Sequence, residues 1–146
     1  MKLAIGSDHA AYESKNKLTK FLESLGHEVQ DLGTNSNESC DFPDYAAEVS
    51  KLVQAKSVER GILICGTGIG MSIASNRFSG VRAALCNTEE LALLSRQHND
   101  ANVLCMGART QSQSSMESIL TIWLNATWEG GRHAIRVQKI ETNSRG

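Results

Sequence analysis

Residues 64–71, ICGTGIGM, set a thiol, Cys65, beside glycines at alternate positions, Gly66, Gly68 and Gly70. The segment follows an apolar run, GILI, and precedes a helical pattern. Glycine loses more backbone freedom on folding than any other residue, so this density implies a chain that turns tightly or is closely approached. Two readings stay open for the loop: a turn required by packing, or a cradle of N–H groups for an oxyanion at a helix start. The spacing is GxGxG on the third strand, and the next strand ends LCN with no acid for a ribose hydroxyl, so a dinucleotide fingerprint fits poorly. No GK[ST] follows, which excludes a P-loop. Cys65 stands where strand gives way to loop, and a helix N-terminus lowers a thiol pKa below its free value of about 8.5. A thiolate there serves as nucleophile or as general base. Cys86 and Cys105 read as small buried hydrophobes.

Other reactive side chains lie near predicted strand ends. The first strand runs into SDHAAY, with Asp8 and His9; the fifth runs into MGART, with Arg109; SRQHNDAN, with His98 and Asn99, precedes the fifth. We group all of these with the glycine loop at one sheet edge. His98 is the better acid–base candidate, because an unperturbed imidazole titrates near pH 6.5. Asp8 orients a histidine, binds a hydroxyl, or simply caps the following helix. In GGRHAIRVQKI, Arg132 and Arg136 are four apart and share one helix face. This is either a solvated basic chain end or a phosphate clamp, since the arginine fork matches phosphate oxygens. Residues 131–146 carry Arg132, Arg136, Lys139 and Arg145 against Glu141, and the paired glycines before them suggest a hinge toward a neighbouring subunit.

The elements that must position these groups alternate. Apolar runs at KLAIGS, EVQDLG, RGILICG, VRAALC and NVLCMG read as strands. ESKNKLTKFLESL (ended by Gly26), DYAAEVSKLVQA (Pro43 near its start), GMSIASNRF, EELALLSRQH (capped by Thr88), QSSMESILTIWLNATW and a segment after EGG read as helices. This alternation predicts a five-stranded parallel sheet with helices on both faces, binding ligands at the carboxyl ends of its strands. The 146 residues suit one domain. A formal charge of −1 argues against a nucleic-acid surface, and no apolar segment approaches a membrane span. Asp8 comes too early for a secretory hydrophobic region, and four cysteines without CxxC pairing suit a reducing cytoplasm.

The segments GSDHA, DLGT, DFPDYA, GILICGTGIGMSIASN, LSRQHNDANVLCMGAR and WLNATWEGGRHAIRV together resemble the type B ribose-5-phosphate isomerases. These belong to a wider sugar-phosphate isomerase family that includes galactose-6-phosphate isomerase subunits. The resemblance runs from residue 3 to about 140. It implies a three-layer, Rossmann-like or flavodoxin-like α/β domain over residues 1–146. It also implies a homodimer, sometimes a tetramer, sharing its active site across the interface, with the last helix (about 130–142) on the partner. The implied chemistry is interconversion of ribose 5-phosphate and ribulose 5-phosphate without metal or cofactor. Carried over, Cys65 is the base, and Thr67 with the amides of Gly66, Gly68, Ile69 and Gly70 forms the enediolate hole. His98 opens the furanose ring with help from Asp8, and Asn99 holds the reacting end of the sugar. His9, Arg109, Arg132 and Arg136 contact phosphate, and Tyr45 lines the sugar. One branch of the family uses a glutamate just after the last loop glycine; Met71 stands there, which places this sequence with the cysteine branch. The alternatives are a six-carbon sugar-phosphate isomerase, a Cys-His thiol hydrolase or transferase, and a non-catalytic phosphate- or nucleotide-binding module.

Overall fold

The computed structural model describes residues 1–144, so Arg145 lies outside the described residues. Strands β1 (Lys2–Ser7), β2 (Glu28–Asp31), β3 (Arg60–Cys65), β4 (Ala83–Leu85) and β5 (Val103–Gly107) alternate with six helices. These are α1 (Tyr12–Ser24), α2 (Phe42–Gln54), α3 (Ile69–Ser75), α4 (Glu89–Asn99), α5 (Gln113–Asn125) and α6 (Arg132–Ser144). Every strand pairing is parallel, in the order β2-β1-β3-β5-β4. The order reverses between β1 and β3, and a crevice forms outside the carboxyl ends of strands at such a point.

The central strands β1, β3 and β5 read as apolar runs because both of their faces are covered. Leu3, Ile5, Ile62, Ile64, Leu104 and Met106 face α1, α4 and α5, where Leu18, Leu22, Ala92, Ile119, Leu120 and Trp123 meet them. The alternate residues Ala4, Leu63, Cys65, Val103 and Cys105 face α2 and α3, meeting Ala46, Val49, Val53 and Met71. Period-2 alternation along each strand therefore builds three layers, and it delivers Cys65 to the α2–α3 side. Among the described residues, no helix is long and apolar enough to cross a membrane.

Boundaries differ from the sequence expectation where side chains compete with the backbone. β2 stops at Asp31, not Gly33, because Asp31 Oδ1 accepts the Gly33 N–H at 2.9 Å. The chain then bonds to the end of β1, Ser7 N–H to Gly33 O at 2.8 Å and Thr34 N–H to Ser7 O at 2.9 Å. Lys15, buried in α1, pairs with Asp31 through its ammonium and anchors this corner. Thr88 does cap α4, accepting the Leu91 N–H at 3.1 Å.

Burial pushes the Cys86 and Cys105 thiols above their ordinary value of 9.0. The unfolded thiols ionise near that value while the folded ones stay protonated. Above pH 9 the unfolded state therefore binds fewer protons, and stability falls as pH rises. The expected slope is about 1.4 kcal/mol per pH unit from Cys105, and Cys86 acts in the same direction. Denaturant midpoints at mildly and strongly alkaline pH, compared with Cys105→Ala, check this: the variant should lose its share of the slope, and an identical slope would contradict it.

Candidate active site

β3 delivers Cys65 to the carboxyl edge of the sheet, 5% exposed. The chain turns sharply at Gly68, whose φ of 81° is left-handed and costs glycine little. That turn brings the Gly68 N–H onto Cys65 Sγ at 3.1 Å. A Cβ at Gly68 would also stand 2.6 Å from Leu85 Cδ1 and 2.9 Å from the Met106 carbonyl, so the site is doubly closed to other residues. The Ile69 N–H donates to Thr67 Oγ1 at 3.2 Å. Two amides of the expected hole are thus committed, one to the sulfur and one to the threonine.

Neighbouring strands complete this edge. Asp8, nearly buried, follows β1, its N–H bonding Ile64 O at 3.3 Å. Its Oδ1 accepts the Ala10 N–H at 3.0 Å and caps a 3₁₀ turn over His9–Ala11. The capping role expected as one alternative is therefore present, leaving Oδ2 for other partners. His9 Nδ1 accepts the Cys40 N–H at 3.2 Å. Arg109, just past β5, lies over the loop: a Cβ at Gly66 would sit 3.3 Å from its Cδ and Nη1. Its N–H also donates to Gly66 O at 2.9 Å. Tyr45 packs on Gly33, and Phe42 covers Gly70, contacts that a Cβ at either glycine would violate. Asp8, His9, Tyr45, Cys65, Thr67, the loop glycines, Ile69 and Arg109 thus gather around one edge.

Gly107 escaped the sequence reading. It pairs with Cys65 across β3 and β5, and a Cβ there would fall 2.6 Å from the Thr67 carbonyl carbon and 2.7 Å from Thr67 Cα. The loop rests on bare backbone at this point. Glu129 and His133 escaped it too.

His98 and Asn99 do not join this edge within one chain, which corrects the single-edge grouping. They end α4 and come before β5, so they lie at the amino edge of the sheet. Along β5 alone, Val103 to Gly107 covers about 13 Å. Asp100, with φ 47°, closes α4. It is clamped by Arg96 Nη1 at 2.8 Å and Arg82 Nη2 at 3.2 Å. These arginines line a cavity of about 550 Å³ with Arg60, which bonds the Trp123 and Leu124 carbonyls at 2.9 and 3.2 Å. Burial first, then nearby Arg96, lowers the Arg60 pKa to about 10, so it stays charged at neutral pH. With these arginines committed to protein oxygens, the cavity braces the turn that carries His98 and Asn99.

Around that turn α6 completes a second group. The Glu129 N–H donates to Gln97 O at 3.2 Å, and the His133 ring stacks on His98 with centroids 4.4 Å apart and planes 15° apart. His98, Glu129 and His133 each bring a potential ligand atom within 4.8 Å of the others. Near-parallel rings, however, run their lone pairs side by side instead of toward one ion. Arg132 and Arg136 are exposed on the same helix. At its far end Glu141 accepts from Ser79 Oγ at 3.0 Å and the Gly80 N–H at 2.8 Å, tying α6 to its own chain.

The family model described as Ribose/Galactose Isomerase matches residues 3–140. Ribose-5-phosphate isomerase B of Escherichia coli (strain K12) is 47% identical over 139 residues, 95% of this chain and 93% of that protein. The putative sugar phosphate isomerase YwlF of Bacillus subtilis (strain 168) is 43% identical over 96% of this chain and 95% of its own. Among solved structures, Clostridium thermocellum ribose-5-phosphate isomerase B superposes with a TM-score of 0.98 at 46% identity, covering 99% of this chain and 98% of that one. The type B ribose 5-phosphate isomerase of Trypanosoma cruzi gives a TM-score of 0.95 at 40% identity, over 98% and 97% of the two chains.

Proposed function

The chain belongs to the ribose/galactose isomerase family, and from that premise we propose that it interconverts D-ribose 5-phosphate and D-ribulose 5-phosphate through an enediolate. The observation that carries the reading is the Cys65 sulfur under the Gly68 N–H at the head of the glycine loop. Aldose–ketose isomerisation removes a weakly acidic proton beside a carbonyl and moves charge onto oxygen. Cys65 takes the proton from carbon 2 and returns it to carbon 1. Thr67 and the loop amides not already engaged receive the oxyanion, and such preorganised donors are each worth about 3–4 kcal/mol in a comparable hole.

Ring opening falls to His98, assisted by Asp8, with Asn99 on the reacting end of the sugar. His9, Arg109, Arg132 and Arg136 hold the phosphate, whose binding energy orients the distant reacting carbons. Because the Cys65 group and the His98 group occupy opposite edges of one sheet, the working site is composite: a second copy brings its His98, Asn99 and α6 arginines over the first copy's Cys65. Exposed apolar surface supports a symmetric dimer. Ile69 and Ile73 on α3, and Ile135 and Ile140 on α6, are 45–65% exposed, apolar area that an isologous interface would cover. Four free cysteines suit a reducing, cytoplasmic setting.

The test is ribulose 5-phosphate formation by the native protein and by Arg136→Ala, with a six-carbon sugar phosphate in parallel. Loss of a charge-assisted contact of roughly 1.5–3 kcal/mol predicts a fall of about 10- to 150-fold in kcat/KM, mostly through KM. An unchanged KM removes Arg136 from the clamp, and a clear preference for the six-carbon substrate overturns the five-carbon assignment.

A further inference from the structure

We propose that His133 is a positioning residue that fixes the plane of the His98 ring, an inference that rests on the ring-opening role proposed above for His98. His98 ends α4 and is only partly buried, a position in which an imidazole turns freely about its side-chain bonds. His133, 7% exposed, lies flat against it. Three contacts hold His133 in turn. Its backbone N–H donates to Gly130 O at 3.0 Å, its ring Nε2 lies 3.5 Å from Glu129 Oε2, and Trp128 closes on its ring at 6.2 Å, tilted by 53°. Glu129 is itself tied by its N–H to Gln97 O, in the turn of α4 that carries His98. The start of α6 and the end of α4 therefore form one unit. A stacked aromatic face leaves both nitrogens at the edge of the His98 ring free while denying the ring rotation.

The chemistry of the two substrates separates this role from general support. Ribose 5-phosphate presents a furanose ring that must open. Ribulose 5-phosphate, with its 5-hydroxyl esterified, is open-chain, so proton exchange at its carbon 1 needs the base and the hole but no ring step. The experiment compares, for the full-length enzyme, kcat on ribose 5-phosphate with deuterium uptake at carbon 1 of ribulose 5-phosphate in heavy water. The variants are His133→Ala, His133→Phe and His98→Ala.

We expect His133→Ala to lower kcat on the ring sugar by roughly 10- to 100-fold, with exchange changed by less than about threefold. His133→Phe, which keeps a flat face, should recover most of the loss. The inference is overturned if His133→Ala leaves kcat intact, or if both reactions fall together and phenylalanine rescues neither. His98→Ala tells the two failures apart. If it spares the ring sugar, the role of His98 is wrong and this inference goes with it; if it separates the reactions while His133→Ala does not, this inference alone fails.

Discussion

Cys65→Ala is expected to lower turnover of ribose 5-phosphate by at least 10²- to 10⁴-fold, the usual range for losing a positioned general base, while KM changes little. The separation follows from geometry. Cys65 sits under the Gly68 amide at the edge of β3, whereas the proposed phosphate contacts lie on other elements. The substitution removes one buried sulfur, so the fold should survive at a cost on the order of 1 kcal/mol. Deuterium uptake from ribulose 5-phosphate should fall in parallel, since the same base serves both directions. Exchange that persists at the native rate would assign the proton transfer to another group. A covalent substrate adduct on Cys65 would point instead to nucleophilic catalysis.

Gly107→Ala is expected to produce the second large effect, with no functional group lost. The new methyl would stand 2.5 Å from Thr110 Oγ1 and under 3 Å from the Thr67 backbone. Thr110 can rotate away, but the Thr67 main chain yields only if the whole glycine loop lifts. Overpacking of this kind costs roughly 1–3 kcal/mol of stability. Displacing the loop by about 1 Å costs on the order of 10²-fold in kcat, because the hole no longer meets the oxyanion. Thermal unfolding and steady-state kinetics on one preparation check both parts. Unchanged kcat would show that the loop does not need its seat on β5.

The alternation of apolar runs with amphipathic stretches announced all five strands and six helices, because a parallel sheet buries both faces. Cys65 with its glycines was legible because the types themselves are unusual at a strand end. Gly107 was not. Its contact with Thr67 exists only because β5 lies beside β3, whereas consecutive strands are the usual neighbours and would have put β4 there. The edge on which His98 stands could have been read: a residue that precedes a parallel strand lies at that strand's amino end, opposite the end of β3. His133 also left a signal, since Glu129 and His133 stand at i,i+4 spacing beside Arg132. Its partner on α4 did not, because only the folded path of α6 brings the two rings together.

In the proposed dimer one working site takes Cys65 from one chain and His98 from the other. Mixing Cys65→Ala chains with His98→Ala chains, by co-expression or by unfolding and refolding together, tests it directly. A two-fold hybrid built as proposed carries one site lacking both groups and one site lacking neither. Random pairing makes about half the dimers hybrid, so activity should rise to about one quarter of the native value, well above either parent. If each site were contained within a single chain, every site in the mixture would lack one group. Activity no higher than that of the parents would then contradict the composite site.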